Sequence, residues 1–239
     1  MNTRDDDVEA AAREVMGAIE DRIHLLTFRS DSSLLPRGLA AAGLARCLAL
    51  TDAIDKLVHQ GRGDVAGALA RLVLEAHHVA LYALLGGHKT VEKLAADHAV
   101  YVGKIAKEND WDDEAQSELD AIVEDWGTQK VLYFTTLREE LQELLRASGD
   151  NTDLMVWYTM LYRGESTFNV HGLGQINRYI DLTSDPWQLI RNPAPVSERG
   201  PLWVAVVLTG HLASWVFDRH GIGIETIDDA MAVLHAAIG

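Results

Sequence analysis

Along most of the chain apolar residues return every third or fourth position, and no run alternates apolar with polar long enough to predict a sheet. The pattern predicts an all-α, single-domain bundle of about eight to ten helices, over 6–27, 37–61, 64–86, 89–108, 112–126, 129–147, 152–163, 165–181, 201–219 and 225–238. Punctuation supports several ends: Pro36 at a helix start, Asp64 as an N-cap, Gly86-Gly87 as a stop, and Gly221 with Gly223 between the last two helices. Four of the five prolines, Pro186, Pro193, Pro195 and Pro201, fall within 183–201. Proline removes the backbone donor a helix needs, so 183–200 reads as an extended connection, packed to the body through Trp187, Leu189 and Ile190.

Composition narrows the class. With 239 residues, 48% hydrophobic and 24% charged, the chain can bury a sizeable core without staples. A formal net charge of −15 argues against broad capture of nucleic acid, which depends on Lys and Arg neutralising phosphates. Cys47 is the single cysteine, which excludes an intramolecular disulfide and a thiolate zinc cluster and fits a reducing, cytoplasmic compartment. The start MNTRDDDVEAA is acidic where an export signal is positive, so none is expected. The longest apolar stretch, 202–217, is short for a membrane span and holds His211, so it reads as a buried core helix and no membrane partner is expected.

Candidate chemistry starts on helix 64–86. At 100° per residue, Asp64, Arg71, Glu75, His78 and Tyr82 fall in a stripe about 80° wide on a helix otherwise of Ala, Val and Leu, His77 apart. The stripe is either a water-facing strip, with Arg71 and Glu75 as an i,i+4 pair, or the wall of an internal pocket where the charges need further polar partners. His211, Ser214 and Asp218 make a similar stripe on 201–219. A lone His on an apolar helix is more often a satisfied core residue than a catalyst, a reading that extends to His77, His98 and His235.

The stretch YRGESTFNVHG at 162–172 supplies a third polar wall. Tyr158, Tyr162, Glu165, Ser166 and Asn169 share a face if the helix continues through Gly164, with Arg163 and His171 off it to the other side. Glu75 and His78 also form an E-x-x-H, the spacing of di-iron bundles, but no second such pair exists. One metal on Glu75, His78 and His171 fits the preference of iron, zinc or manganese for imidazole and carboxylate. Neither the metal nor any other cofactor is specified further, and no Walker loop, GxGxxG, H-E-x-x-H or G-x-S-x-G is present.

The R-x-x-x-E of Arg71 and Glu75, followed by Tyr162, Ser166 and His171 as Y-x-x-x-S-x-x-x-x-H, resembles a group of bacterial all-helical proteins known mainly as a domain of unknown function, over residues 40–220. That group is distantly similar to the HEPN superfamily, helical and often dimeric, with metal-independent ribonucleases of defence systems among its members. The hallmark there is Arg, four to six residues, then His; the nearest pair here, Arg163 and His171, has seven between. The resemblance implies His171 as general acid or base on a 2′-hydroxyl and Arg163 stabilising the phosphate. It also implies a homodimer, which the apolar helices favour.

Three functions stay open. The first is a pocket lined by Arg71, Glu75, His78, Tyr162, Ser166 and His171 that binds or transforms a small molecule, with Tyr82, Tyr158, Asn169 and His211 as further contacts. The second is a HEPN-like ribonuclease on Arg163 and His171. The third is a structural or interaction protein.

Overall fold

The structure, a computed structural model, describes residues 3–27, 35–109, 112–125, 132–159, 180–181, 183, 186, 188–189 and 199–238. Its helices are α1 (Thr3–Ile23), α2 (Leu35–His59), α3 (Gly63–Gly86), α4 (His88–Glu108), α5 (Asp113–Asp125), α6 (Phe134–Ala147), α7 (Leu154–Trp157), α8 (Gly200–Arg219) and α9 (Glu225–Ile238). The all-α expectation holds.

Most boundaries lie within a few residues of the sequence reading because the caps are local. α3 stops at Gly86, and Gly87 takes a positive φ of 66° and donates its N–H to the Ala83 carbonyl, the left-handed stop that glycine adopts without steric cost. The start of α3 differs from expectation. Arg62 occupies the N-cap but does not cap the helix through its side chain, and Asp64 already lies inside the helix.

Two further expectations change. The helix expected over 152–163 is regular only for Leu154–Trp157, opened by Asp153 accepting the Met155 N–H, and then widens into a π turn at 158–159. The helix expected over 165–181 ends in extended backbone: Ile180 and Asp181 pair antiparallel with Leu189 and Gln188. This two-residue pairing closes across the proline-bearing stretch, and helical periodicity read along the sequence cannot register it. Residues 160–179 lie outside the described residues, as does most of the expected packed loop over 183–200.

α3 is the hub. It packs most extensively against α2, then α8 and α6, and touches α4; α1 lies against α9 and α8, and α4 carries α5. One connected core of buried apolar side chains draws on α1, α2, α3, α6, α7, α8 and α9. The α2–α3 crossing is close because small residues face each other: a Cβ on Gly43 would lie 2.5 Å from the Ala80 Cβ. Between α2 and α8 the hydroxyls of Thr51 and Thr209 meet at 3.0 Å, so the buried polar groups satisfy each other. Burial pushes the Cys47 thiol up to about 12, and its Sγ lies 3.7 Å from the Val73 carbonyl, which makes it a packing group and not a nucleophile. α3 over Val65–Gly86 and α8 are each long and apolar enough to cross a membrane, yet 56% and 72% of their apolar windows are buried inside the protein. Their apolarity is used by the core.

Candidate functional site

The polar stripe on α3 divides between two neighbours. Arg71 Nε donates to Glu75 Oε1 at 3.2 Å, with side chains 20% and 36% exposed. Glu75 lines an apolar groove of about 580 Å³ formed by α2, α3 and α4, together with Arg46, Val79, Leu94 and His98. His78 and Tyr82, on the other edge of the stripe, turn into the protein and are fully buried. The Tyr82 hydroxyl donates to Glu140, which also accepts from Lys93 Nζ at 2.8 Å. Burial, then the Glu140 carboxylate, pushes that phenol well above its ordinary value, so Tyr82 ties α3 to α6 as a structural donor.

His78 has different company. On α3, His77 Nδ1 lies 3.1 Å from His78 Nδ1; across to α8, His77 Nε2 lies 2.9 Å from His211 Nδ1. His211 Nε2 then meets Asp150 Oδ2 at 2.8 Å, where Trp215 Nε1 also donates at 3.1 Å. Four groups from α3, α8 and the α6–α7 connection thus form one line: Asp150, His211, His77, His78.

The connection is built to aim Asp150. Gly149 turns the chain at a φ of 84°, and Asp150 Oδ1 accepts the Thr152 N–H at 2.8 Å. Gln142 on α6 clamps the loop from beneath, donating to the Thr152 carbonyl at 2.8 Å and accepting the Leu154 N–H at 2.9 Å. Oδ2 is left to face α8. The hydrogen bond from His211, aided by Thr152, holds the Asp150 carboxyl well below the usual carboxylate range despite its burial.

Ionised, Asp150 can only accept, so His211 Nε2 donates to it, and with that proton on Nε2 the Nδ1 of His211 is left to accept from His77 Nε2. His77 Nδ1 then accepts from His78 Nδ1. The far end agrees independently: the His78 ring bonds the Leu74 backbone, where a carbonyl can only accept, so Nδ1 carries the proton. What remains is His78 Nε2, an unprotonated nitrogen, buried and without a hydrogen-bond partner among the described residues. Burial lowers His78 to about 3 and His77 well below the ordinary histidine value, so both rings are neutral near pH 7.

Around His78 stand aromatic and cationic groups. Its ring lies 5.2 Å from that of Phe134 on α6, Phe134 stacks at 6.1 Å on Tyr158, and the Arg138 guanidinium sits 4.6 Å above the Tyr158 ring. At the opposite end Asp150, His211 and Trp215 line an open cleft of about 450 Å³ with Ser214, Asp218, Asp228 and His235. The relay therefore runs from a buried nitrogen to a solvent-facing cleft.

Of the sequence-derived candidates, the structure brings His78, His211 and Tyr158 into this region, places Arg71 and Glu75 at the groove, and gives Tyr82 to α6. Arg163, Tyr162, Ser166, Asn169 and His171 lie outside the described residues, so the Tyr-Ser-His wall and the Arg163–His171 pair do too. Among the described residues no three His, Cys, Asp or Glu side chains converge on one point as a metal would require; the histidines string out in line and occupy each other's nitrogens. The sequence reading missed Asp150, Trp215, Phe134 and Arg138 and set His77 aside. The adjacent histidines at 77 and 78 inside an apolar helix were the available signal.

Fold and site together define an all-helical bundle crossed by a buried histidine relay. Comparison of the chain with protein-family models, with curated proteins and with solved structures gives no match in any of the three.

Proposed function

We propose that this protein binds and transforms a small molecule at the His78 end of the relay, with His78 Nε2 as the ligand's hydrogen-bond and proton acceptor. The observation that carries the reading is that bare, buried nitrogen. Leaving a buried polar atom unpaired costs on the order of 1–3 kcal/mol, a cost a ligand donor removes.

A base lowered to about 3 is a weak acceptor if it must hold the charge itself. The relay removes that demand. When Nε2 takes a proton from the ligand, His78 passes its Nδ1 proton to His77 Nδ1, and His77 passes its Nε2 proton to His211 Nδ1. The positive charge then rests on His211, 2.8 Å from the Asp150 carboxylate, where opposite charge favours it. One proton enters at Nε2, His78 and His77 each gain one and lose one, and His211 gains one, so the imidazolium ends beside its counter-ion. This arrangement suits general acid–base chemistry, because the proton is accepted in a dry place and its charge is held elsewhere.

The test is retention. Immobilised protein is exposed to a metabolite extract, washed and denatured, and the released species are identified by mass spectrometry, beside His78→Leu. Wild type should hold at least one species that the variant lacks. Identical retained sets, or ¹⁵N NMR showing Nε2 protonated in the free protein, would overturn the reading.

A further inference from the structure

Arg138, whose guanidinium lies over the Tyr158 ring of this nitrogen's aromatic surroundings, is incompletely matched among the described residues. Its side chain is 8% exposed, and its described partners are Met155 Sδ at 3.2 Å from Nη1 and Glu139 Oε1 at 3.0 Å from Nη2. A thioether is a weak acceptor, and the Glu139 side chain is 68% exposed, so water screens its attraction. A guanidinium carries five N–H donors, and these two contacts use two of them. A buried cation needs a counter-charge and hydrogen bonds to offset its lost hydration.

The second observation is independent. Arg138 and Phe134 stand one turn apart on α6, and through Phe134 and Tyr158 the guanidinium and the His78 ring belong to one cluster. The cluster therefore holds an under-matched cation at one end and an unpartnered acceptor at the other, joined by aromatic faces. A neutral apolar molecule would satisfy neither, and a cation would be repelled by Arg138. We propose that the ligand is a small oxyanion, a carboxylate or a phosphate, that seats its charged group on Arg138 and turns a hydroxyl or N–H donor to His78 Nε2. Planar guanidinium donors match both oxyanions bidentately. The proposal rests on the His78 reading for its second contact but not for its first.

The probes are acetate (charge without donor), glycolate (charge and hydroxyl), glycolamide (hydroxyl without charge) and inorganic phosphate (charge and its own O–H). They are titrated into the full chain while the His78 ring nitrogens are followed by ¹⁵N NMR. Glycolate should bind about tenfold more tightly than acetate or glycolamide, the worth of one hydrogen bond to a desolvated partner. Phosphate should bind as well if the site takes phosphates, and its failure beside glycolate would assign carboxylates. Arg138→Gln should weaken glycolate by at least about tenfold. Arg138→Lys, which keeps the buried charge and so guards against a folding defect, should fall between the two. His78→Phe should bring glycolate down to the level of acetate. Equal affinity for glycolate and glycolamide, or unchanged titrations in both Arg138 variants, would overturn the oxyanion. If Nε2 is bare and no anion binds, the oxyanion alone fails; if Nε2 is protonated before any addition, the His78 reading fails while binding at Arg138 is still measured.

Discussion

Asp150 sets the direction of every proton in the relay, and it does so with two oxygens assigned to different donors. Oδ1 takes the Thr152 N–H, and Oδ2 takes His211 and Trp215. An Asn here must turn its NH₂ toward one set or the other, so either orientation opposes donor to donor. We expect Asp150→Asn to cost about 1.5–3 kcal/mol, the range for hydrogen bonds to a charged group, measured by urea unfolding. His211 would lose its acceptor-only partner, and the ring tautomers seen by ¹⁵N NMR should shift. A change below about 0.5 kcal/mol, the range of neutral surface substitutions, would mean Asp150 does not anchor the line. At this scale the sequence was partly legible. His78 and His211 stood out as polar residues on apolar helices, a purely local property. Asp150 did not, because its partner lies 61 residues away and an Asp after Ser-Gly reads as ordinary turn chemistry. Arg138 hid in REELQELLR, where charge is expected on an amphipathic helix and one inward-facing arginine leaves no mark.

Helices were more legible than their neighbours. α3 and α8 announced themselves by apolarity, and the glycines marked their ends; which faces meet is long-range information that periodicity does not carry. The Arg71–Tyr82 stripe illustrates the limit. It is narrow along α3, yet it straddles a junction, so Glu75 falls to the groove and His78 to α6. The α2–α3 crossing is where the packing can be tested. Ala at Gly43 gains roughly 1 kcal/mol of helix propensity, but its Cβ meets another Cβ fixed to backbone, at 2.5 Å, and cannot rotate away. Overpacking of this kind costs about 1–3 kcal/mol, so Gly43→Ala should be net destabilising in thermal unfolding. Gly17, within α1, has nothing within 4 Å of a built Cβ, and Gly17→Ala should stabilise by about 0.5–1 kcal/mol. Equal gains at both positions would mean the α2–α3 crossing is looser than described.

For the whole molecule two electrostatic effects oppose each other as pH falls, and they predict opposite signs. The chain carries −15 at pH 7, with a sequence pI near 5.0, so acidification toward the pI relieves self-repulsion and by itself stabilises the compact state. The buried histidines act the other way. His77 and His78 are held below the unfolded value of 6.5, His78 at about 3, so between these limits the unfolded chain binds protons that the folded chain refuses. Their contribution is fully present above pH 6.5 and is lost as pH falls below it. Two such protons approach a slope of about 2.7 kcal/mol per pH unit well below pH 6.5, twice the 1.36 of a single proton. The carboxyls of Asp150, Glu9 and Glu140, lowered in the folded state, add a loss in the same direction only below pH 4.5. Diffuse repulsion is screened at 0.15 M salt while buried groups are not, so the histidines should win. Urea unfolding at that ionic strength should show stability falling from pH 7.5 to 5.5, and His78→Leu should remove about 1.4 kcal/mol of the total fall over that range. Stability that rises toward the pI instead would mean the two rings take up protons in the folded protein, and the relay as drawn, with its bare nitrogen, could not stand.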